Sequence, residues 1–168
     1  VQGNFGIETR NGNSKRVLRS QQKMSRKLAK EGAELIIWGE TAYPYGRVYR
    51  GTKHEKERPK SRRARRGFDV PLLFGTVTTD KTRENPFPWN TAQLIEADGS
   101  YGGRYDKVKP LIFGESVPFV DPHWYLEQVP SAAVINTGPG AGVIELDDWR
   151  LGPMICSEDL LPDLVRDT

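Results

Sequence analysis

Three residues of different chemistry stand at equivalent places in the chain: Glu40, Lys107 and Cys156 each follow an apolar, strand-like run. In α/β sheets ligands gather at the carboxyl ends of strands. Strands lying side by side would therefore bring these side chains to one crevice, where their roles are complementary. An unperturbed thiol, with a pKa of about 8.5, is mostly protonated at neutral pH and needs a base or a cation beside it to act as a nucleophile. Glu40 can take that proton, Lys107 can stabilise a thiolate and a tetrahedral oxyanion, and Cys156 can attack an acyl carbon. The plainer reading of a lone cysteine is a small buried hydrophobe.

The stretch Leu151-Gly152-Pro153-Met154-Ile155-Cys156-Ser157-Glu158-Asp159 gives the cysteine a setting. Arg150 to Ile155 reads as a strand, Ser157 or Asp159 as a cap, and Leu160, Leu161, Leu164 and Val165 as the apolar face of a helix. Cys156 then occupies the sharp turn of a nucleophile elbow, with backbone N–H groups of the following helix start facing an oxyanion.

The elements that must position these residues can be followed in order. A strand-like stretch opens the chain at Val1-Gln2-Gly3-Asn4. Asn13 or Ser14 caps an amphipathic helix with Val17, Leu18, Met24 and Leu28 on one side, and Gly32 stops it. Glu34 to Trp38 is an apolar run expected of a strand covered on both faces. Lys53 to Arg66 is dominated by Lys and Arg, and its later part is expected to be a helix leading into a strand from Pro71 to Val77. Trp89 to Glu96 and Tyr101 to Asp106 form a predicted hairpin around Asp98-Gly99. Val108 to Pro122 is irregular, Trp124 to Val129 a short helix, and Val143 to Leu146 pairs with Arg150 to Ile155 across Asp147-Asp148. The order of elements implies an α/β layered fold with a mixed sheet.

With 168 residues, no composition break and no internal repeat, one domain over 1–168 is expected. The net charge of +3 hides the local basic run, and a single cysteine excludes an internal disulfide. No apolar run approaches the roughly 18 residues that span a bilayer. The chain starts inside a strand-like stretch and stops at Thr168 partway along a helix, so both ends read as cut. His54 and His123 are too few and too scattered for a metal site, and solvent-facing histidines are expected. Gly138-Pro139-Gly140-Ala141-Gly142 lacks the lysine and the strand-to-helix setting of a phosphate loop and reads as a turn.

The ordered motifs Trp38-Gly39-Glu40, Tyr105-Asp106-Lys107, Phe113-Gly114-Glu115-Ser116-Val117-Pro118 and Ile155-Cys156-Ser157-Glu158 resemble the carbon-nitrogen hydrolase (nitrilase) superfamily. The resemblance runs from Val1 to Arg166. The aromatic-Gly-Glu-x-Val-Pro box and the Asn90-Thr91-Ala92 strand favour its apolipoprotein N-acyltransferase branch, and with it the extracytoplasmic domain. The resemblance implies an α-β-β-α layered sandwich, incomplete here on the C-terminal side. It implies Glu40 as general base, Lys107 as oxyanion stabiliser, Cys156 as nucleophile, Glu115 as a second essential carboxylate and Glu158 as a supporting residue. It also implies a phospholipid acyl donor, a diacylglyceryl lipoprotein acceptor, no cofactor or metal, and work on the outer, periplasmic face of a bacterial inner membrane. Gly39 stands where the family usually has proline, and Ser157 where an aromatic residue is common. Family members also carry transmembrane helices before this domain and further strands and helices after it, and the chain contains neither.

Two rival readings remain at this point. One is a soluble amidase with the same three residues and a small amide substrate. The other is a non-enzymatic module binding an anionic surface or nucleic acid through Lys53 to Arg66. That run has no interleaved aromatic residue and is interrupted by Glu55 and Glu57. A solvated face is its plainest reading, anionic lipid the next, and no nucleic-acid partner is expected. Without the motif, Glu115 and Glu158 would read as surface or cap carboxylates.

Overall fold

A computed structural model describes residues 13–80 and 86–168; the strand expected at Val1 to Asn4 lies outside them. Helix α1 (Ser14–Lys30) buries Val17, Leu18, Gln21, Gln22 and Ser25. The buried face is thus partly polar, and Leu28, expected on it, is exposed. The reason is a buried indole. Trp38 donates its Nε1–H to Ser25 Oγ at 2.9 Å, and Ser25 in turn donates to the Gln21 carbonyl at 2.9 Å. Polar side chains are kept on this face because Trp38 brings a donor that needs a partner. Gly32, with φ +92°, ends the helix as expected: its N–H bonds the Ala29 carbonyl and the Ala33 N–H reaches back to Leu28, a Schellman turn.

The main sheet is mixed. Strands β1 (Ile36–Trp38) and β2 (Arg47–Tyr49) both pair in parallel with the long β3 (Leu72–Thr79). Antiparallel β4 (Trp89–Ile95) and β5 (Tyr101–Asp106) complete it. The hairpin between them turns at Asp98-Gly99, where Gly99 takes φ +93° and Asp98 Oδ1 accepts from both N–H and hydroxyl of Ser100. Side-chain alternation divides the core into two layers. Leu72, Phe74 and Ile95 pack with Ile36, Trp38 and Leu18 toward α1. Leu73, Leu94, Ala92 and Tyr105 face Ile144, Leu146 and Ile155 on the other side. That second layer is a hairpin of β6 (Ile144–Leu146) and β7 (Trp149–Leu151), turning at Asp147 with φ +49°. Ile37 is 51% exposed, so among the described residues β1 is covered on one face only, against expectation.

Two further expectations are corrected. The later part of Lys53 to Arg66 is not a helix but two single 3-10 turns, Glu55–Glu57 and Lys60–Arg62. Pro59 removes a backbone donor between them. The charged side chains also find other partners: Arg58 lies over the Tyr43 ring at 4.9 Å, Arg63 bonds the Arg58 and Lys56 carbonyls, and buried Glu55 accepts the Arg65 N–H. The run is therefore folded down around its own arginines. At the C-terminal side β7 ends at Leu151, where Gly152-Pro153 leaves the ladder, and Cys156–Leu160 is a 3-10 turn before the short α3 (Pro162–Arg166). Of the apolar face expected there only Leu164 is buried. The short helix expected near Trp124 is α2 (Pro122–Gln128), capped by Asp121 Oδ1 accepting the Trp124 N–H at 2.8 Å.

Buried phenols make the fold alkali-sensitive. Burial pushes Tyr43 from 10.0 up to about 12, against the opposing pull of Arg58. Tyr101 and Tyr105 are raised as well, each mainly by burial. The folded state holds these protons while an unfolded tyrosine loses its own near pH 10, so the contribution of Tyr43 is whole below about pH 10 and is lost as pH rises through 12, and those of Tyr101 and Tyr105 begin to fall at the same point. Urea melts at stepped pH should show stability falling across that window, and Tyr43→Phe should flatten the decline. A wild-type curve level from pH 9 to 12 would contradict this account.

Candidate active site

Glu40 lies just past β1 in a tight turn, where Thr41 takes φ +44° and Ala42 N–H bonds the Gly39 carbonyl at 3.2 Å. The turn lies directly on β3. A Cβ at Gly75 would collide with the backbone of Gly39, Glu40 and Thr41, so only glycine lets the turn close there. The Glu40 side chain is exposed, and its Oε1 accepts from Asn90 Nδ2 at 2.8 Å. Asn90, the second residue of β4, is 5% exposed, and its main-chain carbonyl accepts the Lys107 N–H at 2.9 Å. One residue thus touches both Glu40 and the backbone of Lys107.

Lys107 follows β5 and is 1% exposed. Its carbonyl takes the Gly138 N–H at 2.8 Å, and a Cβ at Gly138 would run into the Asp106 carbonyl. The five-residue glycine-rich turn therefore packs onto the strand end that carries the lysine. The ammonium donates to Glu115 Oε2 at 2.7 Å, and the same oxygen accepts the Leu111 N–H at 2.8 Å. Burial acts to lower the Lys107 pKa, but the bond and charge of Glu115 outweigh it, and Cys156 and Glu40 add to that pull. The net direction is upward, and the side chain is cationic at neutral pH.

Cys156 is exposed and takes φ +60°, a conformation that costs a non-glycine residue on the order of 1–3 kcal/mol. A sharp turn was expected there, and strain of this kind lifts a side chain clear of its surroundings. Lys107, Glu115, Cys156 and Ser157 line one cleft of about 460 Å³, with Leu111, Phe113 and Ala132 among its apolar walls. Glu40 and Asn90 line a separate cavity of about 560 Å³ together with Trp38 and Met154. Glu40 is linked to the first group through Asn90 and through its charge acting on Lys107.

Glu158 is not in the cleft. It is fully buried and accepts four hydrogen bonds: from Tyr105 Oη at 2.9 Å, Val108 N–H at 2.7 Å, Lys109 N–H at 2.9 Å and Ile155 N–H at 2.9 Å. It joins the residues just after Lys107 to the residue just before Cys156. Sequence reasoning did not single out Asn90, Gly75 or Tyr105 as parts of the site, nor the clamp beneath β5. In that clamp Arg50 grips Asp106 through both carboxylate oxygens at 3.0 and 2.8 Å and lies 4.0 Å over the Trp89 ring, while Thr91 Oγ donates to the same carboxylate at 2.6 Å. Asp106 standing directly before Lys107 was the one available signal; Arg50 is too distant in sequence for any local pattern to find it.

Among the described residues no group of three His, Cys, Asp or Glu side chains could hold a metal ion. His54 Nδ1 accepts the Lys56 N–H, and the His123 ring packs on Phe87 at 5.0 Å.

The burial of Glu158 gives a direct test. Glu158→Ala leaves four donors without their acceptor, at about 1–3 kcal/mol for each one left dry. Denaturant titration should show a loss above about 3 kcal/mol for Glu158→Ala, and a smaller one for Glu115→Gln, whose carboxylate is 21% exposed. Equal losses would refute the assignment of Glu158 as the internal brace.

Comparison with known proteins bears on the fold and the family. The chain is 28% identical over 148 residues to the apolipoprotein N-acyltransferase of Geobacter metallireducens, covering 86% of this chain and 27% of the relative. To that of Aquifex aeolicus it is 27% identical over 143 residues, covering 84% and 30%. The chain thus spans less than a third of the length of these relatives. Among solved structures, a carbon-nitrogen hydrolase from Helicobacter pylori superposes with a TM-score of 0.61 at 20% identity, over 92% of this chain and 51% of that one. An amidase from Nesterenkonia sp. does so at 0.59 and 17%, over 93% and 55%. At such identities they establish the fold, a nitrilase-like α/β layered sandwich. The carbon-nitrogen hydrolase family matches residues 1–168, and the chain belongs to that family.

Proposed function

We propose that the chain carries the catalytic groups of an N-acyltransferase that moves a fatty-acyl chain from phospholipid, through a thioester on Cys156, to the terminal amine of a diacylglyceryl-cysteine lipoprotein. The observation that carries the reading is the exposed, strained Cys156 sharing an apolar-walled cleft with the buried Lys107–Glu115 pair. The relatives named as apolipoprotein N-acyltransferases support the substrate pair. So does the setting of the cleft, since Leu111 and Phe113 on its wall are 60% and 65% exposed and could meet an acyl chain. No helix among the described residues is long and apolar enough to cross a membrane. On this reading the site works at the outer face of a bacterial inner membrane.

In the first step Glu40 takes the thiol proton, sulfur bonds the ester carbon, and the charge on the carbonyl oxygen falls to Lys107. The ester C–O bond then breaks, and Glu40 returns the proton to the departing lysophospholipid oxygen. In the second step the lipoprotein amine attacks the thioester, Glu40 takes a proton from the amine, the C–S bond breaks, and the thiolate recovers its proton. Glu115 holds Lys107 in place and in charge. Asn90, by binding one oxygen of Glu40, leaves the other to accept the proton.

In the full-length gene product, Cys156→Ala should abolish acyl transfer, and Glu40→Gln and Lys107→Met should each reduce it by about 100-fold or more with the fold intact. Asn90→Asp sets a second carboxyl against Glu40, and the two then compete for one proton. The acidic limb of its kcat/KM profile should move to higher pH, and an unchanged limb would remove Asn90 from this role.

The transferase and amidase readings part at the fate of the thioester, because a transferase must keep water off it until the amine arrives. With phospholipid and no acceptor, mass spectrometry should find a fatty-acyl adduct on the Cys156 peptide. Neutral hydroxylamine should release it, Cys156→Ser should lack it, and a peptide with a diacylglyceryl-cysteine amino terminus should discharge it. No adduct, with hydrolysis of a small amide instead, would establish the amidase; neither reaction in folded protein would end the catalytic reading.

A further inference from the structure

The outer face of α1 and the run beside it form one basic surface, larger than either suggests in sequence. The helix carries seven Lys and Arg side chains and no carboxylate. Arg26 turns to the Arg66 carbonyl at 3.2 Å, while Lys15, Arg16, Arg19, Lys23, Lys27 and Lys30 remain exposed. At 100° per residue all seven fall within an arc of about 120° opposite the buried face, along a helix about 25 Å long. The 53–66 run docks along the flank of this arc. Gln22 Nε2 donates to the Arg63 carbonyl at 2.8 Å, and the Arg26 stem lies against Gly67.

The structure also shows which charges of the run are available. Arg58, Arg63 and Arg65 are turned onto Tyr43 and backbone carbonyls. Lys56, Lys60 and Arg66 stay exposed, as does Arg62, whose guanidinium lies 5.6 Å over the Tyr45 ring, and the end of the run at Arg66 is tied to the helix through Arg26. Nearby carboxylates do little to offset it. Glu55 is buried, Glu57 accepts the Lys53 and His54 N–H groups, and Glu31 reaches only Lys27, at 3.7 Å.

We propose that this ridge docks the protein on an anionic phospholipid surface. A bilayer is favoured over nucleic acid by what the ridge lacks. Its amides, Gln21 and Gln22, point inward and are bonded to the Ala42, Arg63 and Ala64 carbonyls. No Phe, Tyr or Trp lies in the 53–66 run to stack on a base, and the His54 ring is held by the Lys56 N–H and the Asp98 carbonyl. What remains is a long row of cations, mostly lysine on the helix, that can meet phosphates and read nothing else. The first turn of the ridge is tied to the segment after Glu40, Ser14 Oγ donating to the Pro44 carbonyl at 3.0 Å, so a docked ridge holds that end of the sheet at the lipid surface. The inference stands on charge placement and does not require the Cys156 chemistry.

The test is co-sedimentation of the 168-residue chain with phosphatidylcholine vesicles, with and without phosphatidylglycerol. Binding should require phosphatidylglycerol and be released by high salt. The Lys15→Gln, Arg19→Gln, Lys23→Gln triple variant should bind at least about tenfold more weakly with an unchanged melting curve. A second variant, Lys60→Gln with Arg62→Gln and Arg66→Gln, should also weaken, which keeps the test valid if the first fails to fold. Equal binding to pure phosphatidylcholine would assign attachment to apolar side chains and overturn the proposal. So would undiminished binding by both folded variants, or displacement from the vesicles by a short duplex RNA at equal phosphate concentration.

Discussion

The site depends first on a single buried carboxylate. Glu158 is shielded from solvent, and a charge so placed is tolerated only when its lone pairs are filled. Four donors fill them, and those donors come from the two stretches that must meet: Tyr105, Val108 and Lys109 around Lys107, and Ile155 before Cys156. The burial is therefore also a positional constraint. If the 3-10 turn moves, a carboxylate loses partners in an apolar layer built from Leu94, Ile144 and Ile155. The penalty for leaving such a charge unpaired exceeds the strain of holding Cys156 at φ +60°, so the brace can sustain the strain.

The same logic extends outward through contacts that leave little freedom. Lys107 is held by its N–H on Asn90, its carbonyl on Gly138 and its ammonium on Glu115. Asp106, one residue earlier, is gripped by Arg50, and Thr91 and Thr78 join that clamp. A lysine side chain has much rotamer entropy to lose on ordering. Here that cost falls on folding, before any ligand arrives, which is what preorganised electrostatic stabilisation requires.

Much of this was legible in the residues. The strand ends carrying Glu40 and Lys107, the Asp98-Gly99 hairpin, the Gly32 stop and the turn at Cys156 follow from local periodicity and turn chemistry, and local chemistry is what a sequence exposes directly. The failures share a different origin. Gln21 and Ser25 were not read as members of the buried face of α1 because the indole that needs them, Trp38, lies in another element. The basic run looked helical because its real partners, Tyr43 and its own backbone carbonyls, cannot be inferred from charge alone. Strand β2 went unread because Arg47-Val48-Tyr49 is three residues long and exists by pairing with β3. Asn90 and Gly75 matter through what crosses over them, and a single strand does not reveal its neighbours.

Glu40 and Cys156 are held by opposite means, and the difference bears on what the site can do. The carboxylate is exposed but fixed through one oxygen by a buried amide, whereas the thiol is exposed through its own backbone strain and lies among apolar side chains. On the proposed reading Glu40 serves a thiol and then an amine in turn, and a carboxylate anchored through one oxygen keeps its geometry through that change of partner. On the same reading a covalent acyl carrier needs an apolar flank along which the acyl chain can lie, and Leu111, Phe113 and Ala132 line the cleft beside the lysine. Hydrolysis of a small amide would use the same thiol and carboxylate but would not need the apolar flank. The apolar flank beside Cys156 and Lys107 is the physical ground for the proposal that an acyl group waits there for an amine.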